Sequence, residues 1–282
     1  MEELKKPLIV SIFGNIVLSV IKIFVGYIYN SISLISDGFH SLSDVITSII
    51  GYYGIKISQM PEDENHPYGH SRFETLFSLI IGLALLLTGF ELLKMSIDKI
   101  INIGTVEVNA IVLGVAILSI IIKELMTQYS LYIGRKYNNS ILIADAYHHR
   151  SDVLSTIVVL VGLILEKFGF IYGDGLAGVI VSLMVAKAAI DICKDSIDKL
   201  TGKSPSNEIL NKIKETVLKI DGVKGYHDLK AHYVGPDIFV EIHVEVDKDL
   251  SAKELHDLET KITKEIENIK GIKRAYVHLD PI

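Results

Sequence analysis

Two near-copies of one pattern, LISDGFHSLSDV at 34–45 and LIADAYHHRSDV at 142–153, most constrain how this chain can fold. Each sets Asp, His and Asp at i, i+3 and i+7 (Asp37, His40, Asp44; Asp145, His148, Asp152), one stripe of an α-helix, in a stretch otherwise apolar enough to cross a bilayer. An Asp at the centre of a spanning helix costs about 2.5 to 3.5 kcal/mol, so two such stripes demand a cation or an internal water path.

Hydrophobic residues make up 49% of the 282, yet the last 80 or so are ordinary charged sequence, so the chain divides into two domains, 1–200 and 201–282. At about 20 residues per crossing, the first holds six predicted spans, near 8–29, 32–57, 73–97, 107–131, 141–165 and 174–198. Lys5, Lys6, Lys56, Arg72, Arg135 and Lys136 fall on one side with the charged C-terminal part, and Lys94, Lys99 and Lys167 on the other. The bias places both termini in the cytoplasm. An apolar run follows the N-terminal Met-Glu-Glu-Leu-Lys-Lys-Pro with no small-residue cleavage site, and reads as a first anchor rather than a removable signal. A net charge of −6 leaves no basic footprint for nucleic acid, and the lone Cys193 forms neither an intrachain disulfide nor a thiolate metal site.

The pattern repeats from 40 to 148, on spans two and five, so the membrane part reads as two three-helix halves, the second inverted. His40 and His148 then lie on the order of 12 to 13 Å deep from opposite faces, near the midplane. Each His precedes an Asp by four residues, so His40, Asp44, His148 and Asp152 can converge as a tetrahedral N2O2 cage. Such a donor set suits Zn2+, whereas Mg2+ and Ca2+ favour more oxygens. Co2+, Cd2+, Fe2+ and Ni2+ stay open, as does an internal ion-pair network without metal.

A second cluster, Asp63, His66 and His70, lies in the proline-stiffened loop between spans two and three. Beyond 200, helical periodicity at about 206–220, strand alternation at 225–234 and 238–246, a helix at 251–269 and a strand at 273–279 predict an αββαβ, metallochaperone-like α+β domain. That stretch carries His227, His232, His243, His256 and His278 with Asp280.

These residues together resemble the cation diffusion facilitator family of bacterial and archaeal metal exporters, over essentially the whole chain. The resemblance implies a multi-pass α-helical membrane protein with six transmembrane helices and a C-terminal cytoplasmic αββαβ domain, working as a homodimer in the cell membrane. It implies a transport site at His40, Asp44, His148 and Asp152, and a loop site at Asp63, His66 and His70. It further implies cytoplasmic metal positions at His227, His243, His256, His278 and Asp280 near the dimer interface, with Zn2+ as both substrate and regulatory ligand. His232 has no counterpart. An interlock between the loop before span three and the end of span six corresponds to Arg72 with Asp198. His at position 40 tilts selectivity toward Zn2+ over Fe2+ or Mn2+, while the loop Gly134–Asn139 lacks the histidines many zinc members carry there.

Metal and proton compete for the same imidazole nitrogen, so the expected activity is metal efflux driven by inward proton flow. Asp37 and Asp145 are expected to support the ligands or relay protons. An intramembrane metal-dependent hydrolase is the rival from another class, but there is no His-Glu-x-x-His, and four protein ligands leave no open position for water. A third reading, a membrane-anchored metal sensor, has no use for six spans with a buried charged repeat.

Overall fold

The computed structural model describes residues 2–28, 32–101, 110–167 and 172–282; the side chains of Asp37 and His40 fall outside the described residues. The chain divides into two compact units, Met1–Ser196 and Ile197–Ile282.

Among the described residues, six helices precede the C-terminal domain: α1 (Glu2–Ile28), α2 (Ile32–Ser58), α3 (Arg72–Ile101), α4 (Ala110–Lys136), α5 (Ser140–Lys167) and α6 (Gly173–Leu200). The shortest have 27 residues, about 40 Å at 1.5 Å per residue, enough to cross a bilayer. Among the described residues, α1, α3 and α4 also carry windows apolar enough to do so on composition. Helices α2 and α5 hold the charged repeat. The observed α4 runs beyond its predicted end at 131 to Lys136, because Arg135 and Lys136 suit the negative end of the helix dipole.

Helix α1 shows how the bundle is sided. Its buried positions, Leu8, Ser11, Asn15, Leu18, Ser19 and Lys22, form one stripe that includes the polar side chains of its spanning part, whereas Phe13, Val20, Phe24 and Tyr27 are exposed. A helix with its polar face inward and its aromatics outward is arranged for lipid rather than water. Gly38 permits the close approach of α1 to α2, since a Cβ there would lie 2.6 Å from Cγ1 of Ile23. Across the bundle, Leu8, Ile55, Ile81, Ile133, Ile141 and Leu142 form one apolar core, and Leu85 packs with Val185 and Ala189 of α6 in another.

In the second unit, α7 (Asn207–Leu218), β1 (Val223–Val234), β2 (Asp237–Val246), α8 (Ala252–Glu267) and β3 (Ile272–Pro281) give the expected αββαβ order. The sheet order is β1-β2-β3, with β1 antiparallel and β3 parallel to β2. Val240, Ile242, Val244 and Val246 are buried in a core with Ile213 and Val217 of α7 and Ile262 and Ile266 of α8. The alternate residues of β2, Glu241, His243 and Glu245, therefore stand on the opposite face of the sheet. Ser251 and Glu254 close a reciprocal capping box at the start of α8.

Candidate metal centres

Helix α5 carries two of the expected transport ligands, and its N-terminus is firmly held. Asn139 Oδ1 accepts from the Leu142 N–H at 3.0 Å, and the buried Glu74 of α3 accepts from the Ser140 N–H at 2.7 Å. Both acceptors take donors that the first turn leaves open.

Two to three turns further, His148 and Asp152 meet Asp44 of α2. His148 Nε2 lies 3.1 Å from Asp44 Oδ1, and ligand atoms of all three residues lie within 4.8 Å of one another, each residue buried. The structure thus brings together three of the four expected ligands; His40, one turn before Asp44, lies outside the described residues. His148 Nδ1 is buried with no hydrogen-bond partner among the described residues.

Sequence reasoning missed Lys123. This fully buried lysine of α4 donates from Nζ to Asp44 Oδ2 at 2.7 Å and to Asp152 Oδ2 at 2.6 Å, bridging the two carboxylates. Its signal was present in the chain, as a cation in the apolar run Ile120-Ile121-Ile122-Lys123. An intramembrane charge of this kind marks function by default. Lys22, also buried, donates to Ser41 Oγ at 3.0 Å, beside the same stretch of α2.

Asp145 is completely buried but makes a different set of contacts. It accepts from Ser11 Oγ at 3.5 Å, Ser48 Oγ at 3.3 Å and Ser130 Oγ at 3.3 Å, from α1, α2 and α4, and lies 3.5 Å from His149 Nε2. Those contacts tie four helices together one turn from His148. None of them reaches Asp44, His148 or Asp152. Asp37, its expected counterpart, lies outside the described residues.

The loop cluster also assembles. Asp63 Oδ1 lies 3.2 Å from His66 Nδ1, and Asp63 Oδ2 lies 3.4 Å from His70 Nε2. His70 is buried and its Nδ1 lies 3.0 Å from the Pro61 carbonyl. The His66 backbone N–H, at 2.7 Å, leads the interactions that hold the Asp63 carboxyl below its usual range.

On the open face of the C-terminal sheet, Asp280 Oδ2 lies 2.9 Å from His243 Nδ1 and 3.2 Å from His227 Nε2, while Oδ1 lies 3.3 Å from His278 Nε2. The hydrogen bond from His243 is the first cause of the lowered Asp280 pKa. Glu245, which the sequence reading passed over, joins through Oε1 at 3.2 Å from His227 Nδ1. A β-bulge after His227, with Asp228 at φ 48°, separates this end of β1 from the regular ladder. His256 sits exposed on α8 and is not brought into the cluster within this chain. Nor is the Arg72–Asp198 interlock defined: the two belong to different units, and Asp198 pairs with Lys203 at 3.6 Å.

Comparison with known proteins adds a second line. Residues 8–201 match the family described as the cation efflux transmembrane domain, and residues 205–282 match the cytoplasmic domain of cation efflux proteins. An uncharacterized transporter of Methanocaldococcus jannaschii is 60% identical over 280 residues, covering 99% of each chain. The manganese efflux system protein MneS of Bacillus subtilis is 32% identical, over 100% of this chain and 98% of that protein. Magnetosome protein MamB of a Magnetospira species is 31% identical, over 96% and 92% respectively.

Proposed function

Because the chain belongs to the cation efflux family, it is a membrane transporter of divalent metal cations rather than an enzyme, and we propose that its cargo is Zn2+, exported in exchange for protons. The observation that carries this reading is the convergence of Asp44, His148 and Asp152 from α2 and α5 in the buried interior. Two carboxylates balance a divalent charge, and imidazole with carboxylate in four-fold geometry suits Zn2+. His40 would complete the set as fourth ligand.

Zn2+ bonds of about 2.0 to 2.2 Å in tetrahedral geometry would set the donors about 3.3 to 3.6 Å apart, inside the 4.8 Å within which they all lie. Binding needs an imidazole nitrogen free of its proton, so metal loading and protonation exclude one another at His148. After metal release, a proton on this cluster relieves the buried carboxylate pair and allows return. Asp145 and Asp37 remain the proposed relay groups. We place both termini in the cytoplasm of a cell-membrane homodimer, its C-terminal cluster a regulatory Zn2+ site completed by His256 and its loop cluster a third site. Arg72 and Asp198 are proposed to lock α3 to the end of α6.

Mn2+ is the second reading, favoured by the full-length similarity to a manganese efflux protein. Counterflow of Zn2+, Mn2+, Fe2+, Co2+ and Cd2+ in proteoliposomes at two pH gradients decides between them. Zn2+ flux that responds to the proton gradient is expected, and Mn2+ flux exceeding it under all conditions would transfer the assignment. Metal flux indifferent to the proton gradient would remove the antiport.

A further inference from the structure

We propose that Lys123 is a tethered competitor of the transported metal, an ammonium that occupies the point between Asp44 and Asp152 and must withdraw for a divalent ion to be held there. The proposal deepens the transport-site reading and rests on it.

Three observations carry it. First, Lys123 Nζ bonds both carboxylates, at 2.7 and 2.6 Å, the short end of charge-assisted geometry. These are the two acidic groups through which a metal would be neutralised, so ammonium and metal claim the same two carboxylates. Second, the three partners come from three helices, α4 for Lys123, α2 for Asp44 and α5 for Asp152. The lysine therefore bridges the elements whose separation defines the site. Third, all three are buried, with side chains 2 to 4% exposed, so neither water nor salt screens the contest.

The two cations cannot share the cage. A metal ion bonds oxygen at about 2 Å, which crowds out an ammonium donating to the same carboxylates, and both carry positive charge. Lysine suits this exchange better than arginine would, because it is a compact point charge on a flexible stem with three rotatable donors. Its stem allows the head to swing out while α4 stays packed. The lysine thus lowers affinity for the cargo and helps expel it, two properties a carrier needs and a storage site does not. A purely structural ion pair would stabilise the bundle without setting the metal concentration at which transport saturates.

The test is the half-saturating Zn2+ concentration for flux, and the maximal rate, of the full-length protein in proteoliposomes. Lys123→Met removes the competitor: half-saturation should fall by at least about tenfold, and the maximal rate should fall because release slows. Lys123→Arg replaces it with a planar fork that grips two carboxylates more firmly, and half-saturation should rise by about tenfold or more. Movement in opposite directions is the signature. Unchanged half-saturation in both variants, or weakened metal binding in Lys123→Met, overturns the proposal. Should Lys123→Met fail to fold, the arginine variant decides alone. A folded variant without flux is read by equilibrium dialysis against Zn2+, in a background with His66, His70, His227, His243 and His278 replaced by alanine. Asp44→Asn and Asp152→Asn separate the two readings. Flux that survives both removes the transport site and this proposal with it, whereas lost flux with Lys123 variants of unaltered affinity removes the competitor alone.

Discussion

His148 Nε2 on α5 lies 3.1 Å from Asp44 Oδ1 on α2, a contact between residues 104 positions apart. It joins the two copies of the sequence repeat, and neither copy assembles the site alone. Asp44→Asn, His148→Ala and Asp152→Asn are each expected to reduce Zn2+ flux in proteoliposomes to the protein-free background. His66→Ala, in the exposed loop, should leave flux within about twofold, as for a position outside the transport cage. Wild-type flux in any of the three core variants would dissociate this cluster from transport.

Acidity should discriminate between the ligands of the C-terminal cluster. Asp280 is held below the usual carboxylate range, chiefly by the hydrogen bond from His243. A carboxyl lowered in this way contributes stability above its unfolded value, near about 3.9, and loses it only as pH falls through the lower folded value. It is thus still ionised in mild acid, so loss of its own charge is not what would release metal there. Asp280→Asn should weaken Zn2+ binding without moving the pH midpoint of release, measured by titrations from pH 5 to 7.5 on a variant lacking Asp44 and Asp152.

The capping box makes a separate prediction about folding. Glu254 is held below its usual pKa, first by the Ser251 hydroxyl and then by the Ser251 backbone N–H. Its contribution is present above the unfolded glutamate value and is lost as pH falls through the folded one. Ser251→Ala should lower the thermal midpoint of the C-terminal unit by a few degrees at pH 7. The deficit should shrink toward pH 3, and circular dichroism melts across that range would show it.

Helix packing in the membrane unit leaves little room beside Gly54. A Cβ at that position would stand 2.7 Å from Phe77 Cγ and 2.8 Å from Ile141 Cδ1. Gly54→Val should therefore destabilise the bundle by about 1 to 3 kcal/mol of overpacking. In the other unit, Ile266→Ala opens the sheet–helix core and should cost about 2 to 5 kcal/mol. Each loss is read from the melting transition in detergent, and a stabilised Gly54→Val protein would contradict the close α2–α3–α5 packing.

The paired Asp-His-Asp stripes were legible because a charge in an apolar run is visible without knowing its partners. Strand alternation likewise revealed β2, and with it the face on which His243 stands. Lys123 escaped because it stands once, next to Glu124 where α4 turns more polar, with no second copy to single it out; its meaning comes from two carboxylates on other helices. Glu245 escaped for a related reason, since only the pairing of β1 with β2 brings it to His227. Asp145 was visible as a buried acid, but its three serine partners come from three helices, and no local spacing announces them.

The C-terminal strands align His227 opposite His243, and His243 opposite His278. Three imidazoles from three chain segments thus form a single rung across the sheet. Slippage of any strand by one residue would turn its imidazole to the helix-covered face and break the rung. Metal captured there would act as a gauge of strand alignment, so a chain that had folded out of step would betray itself by failing to hold the ion.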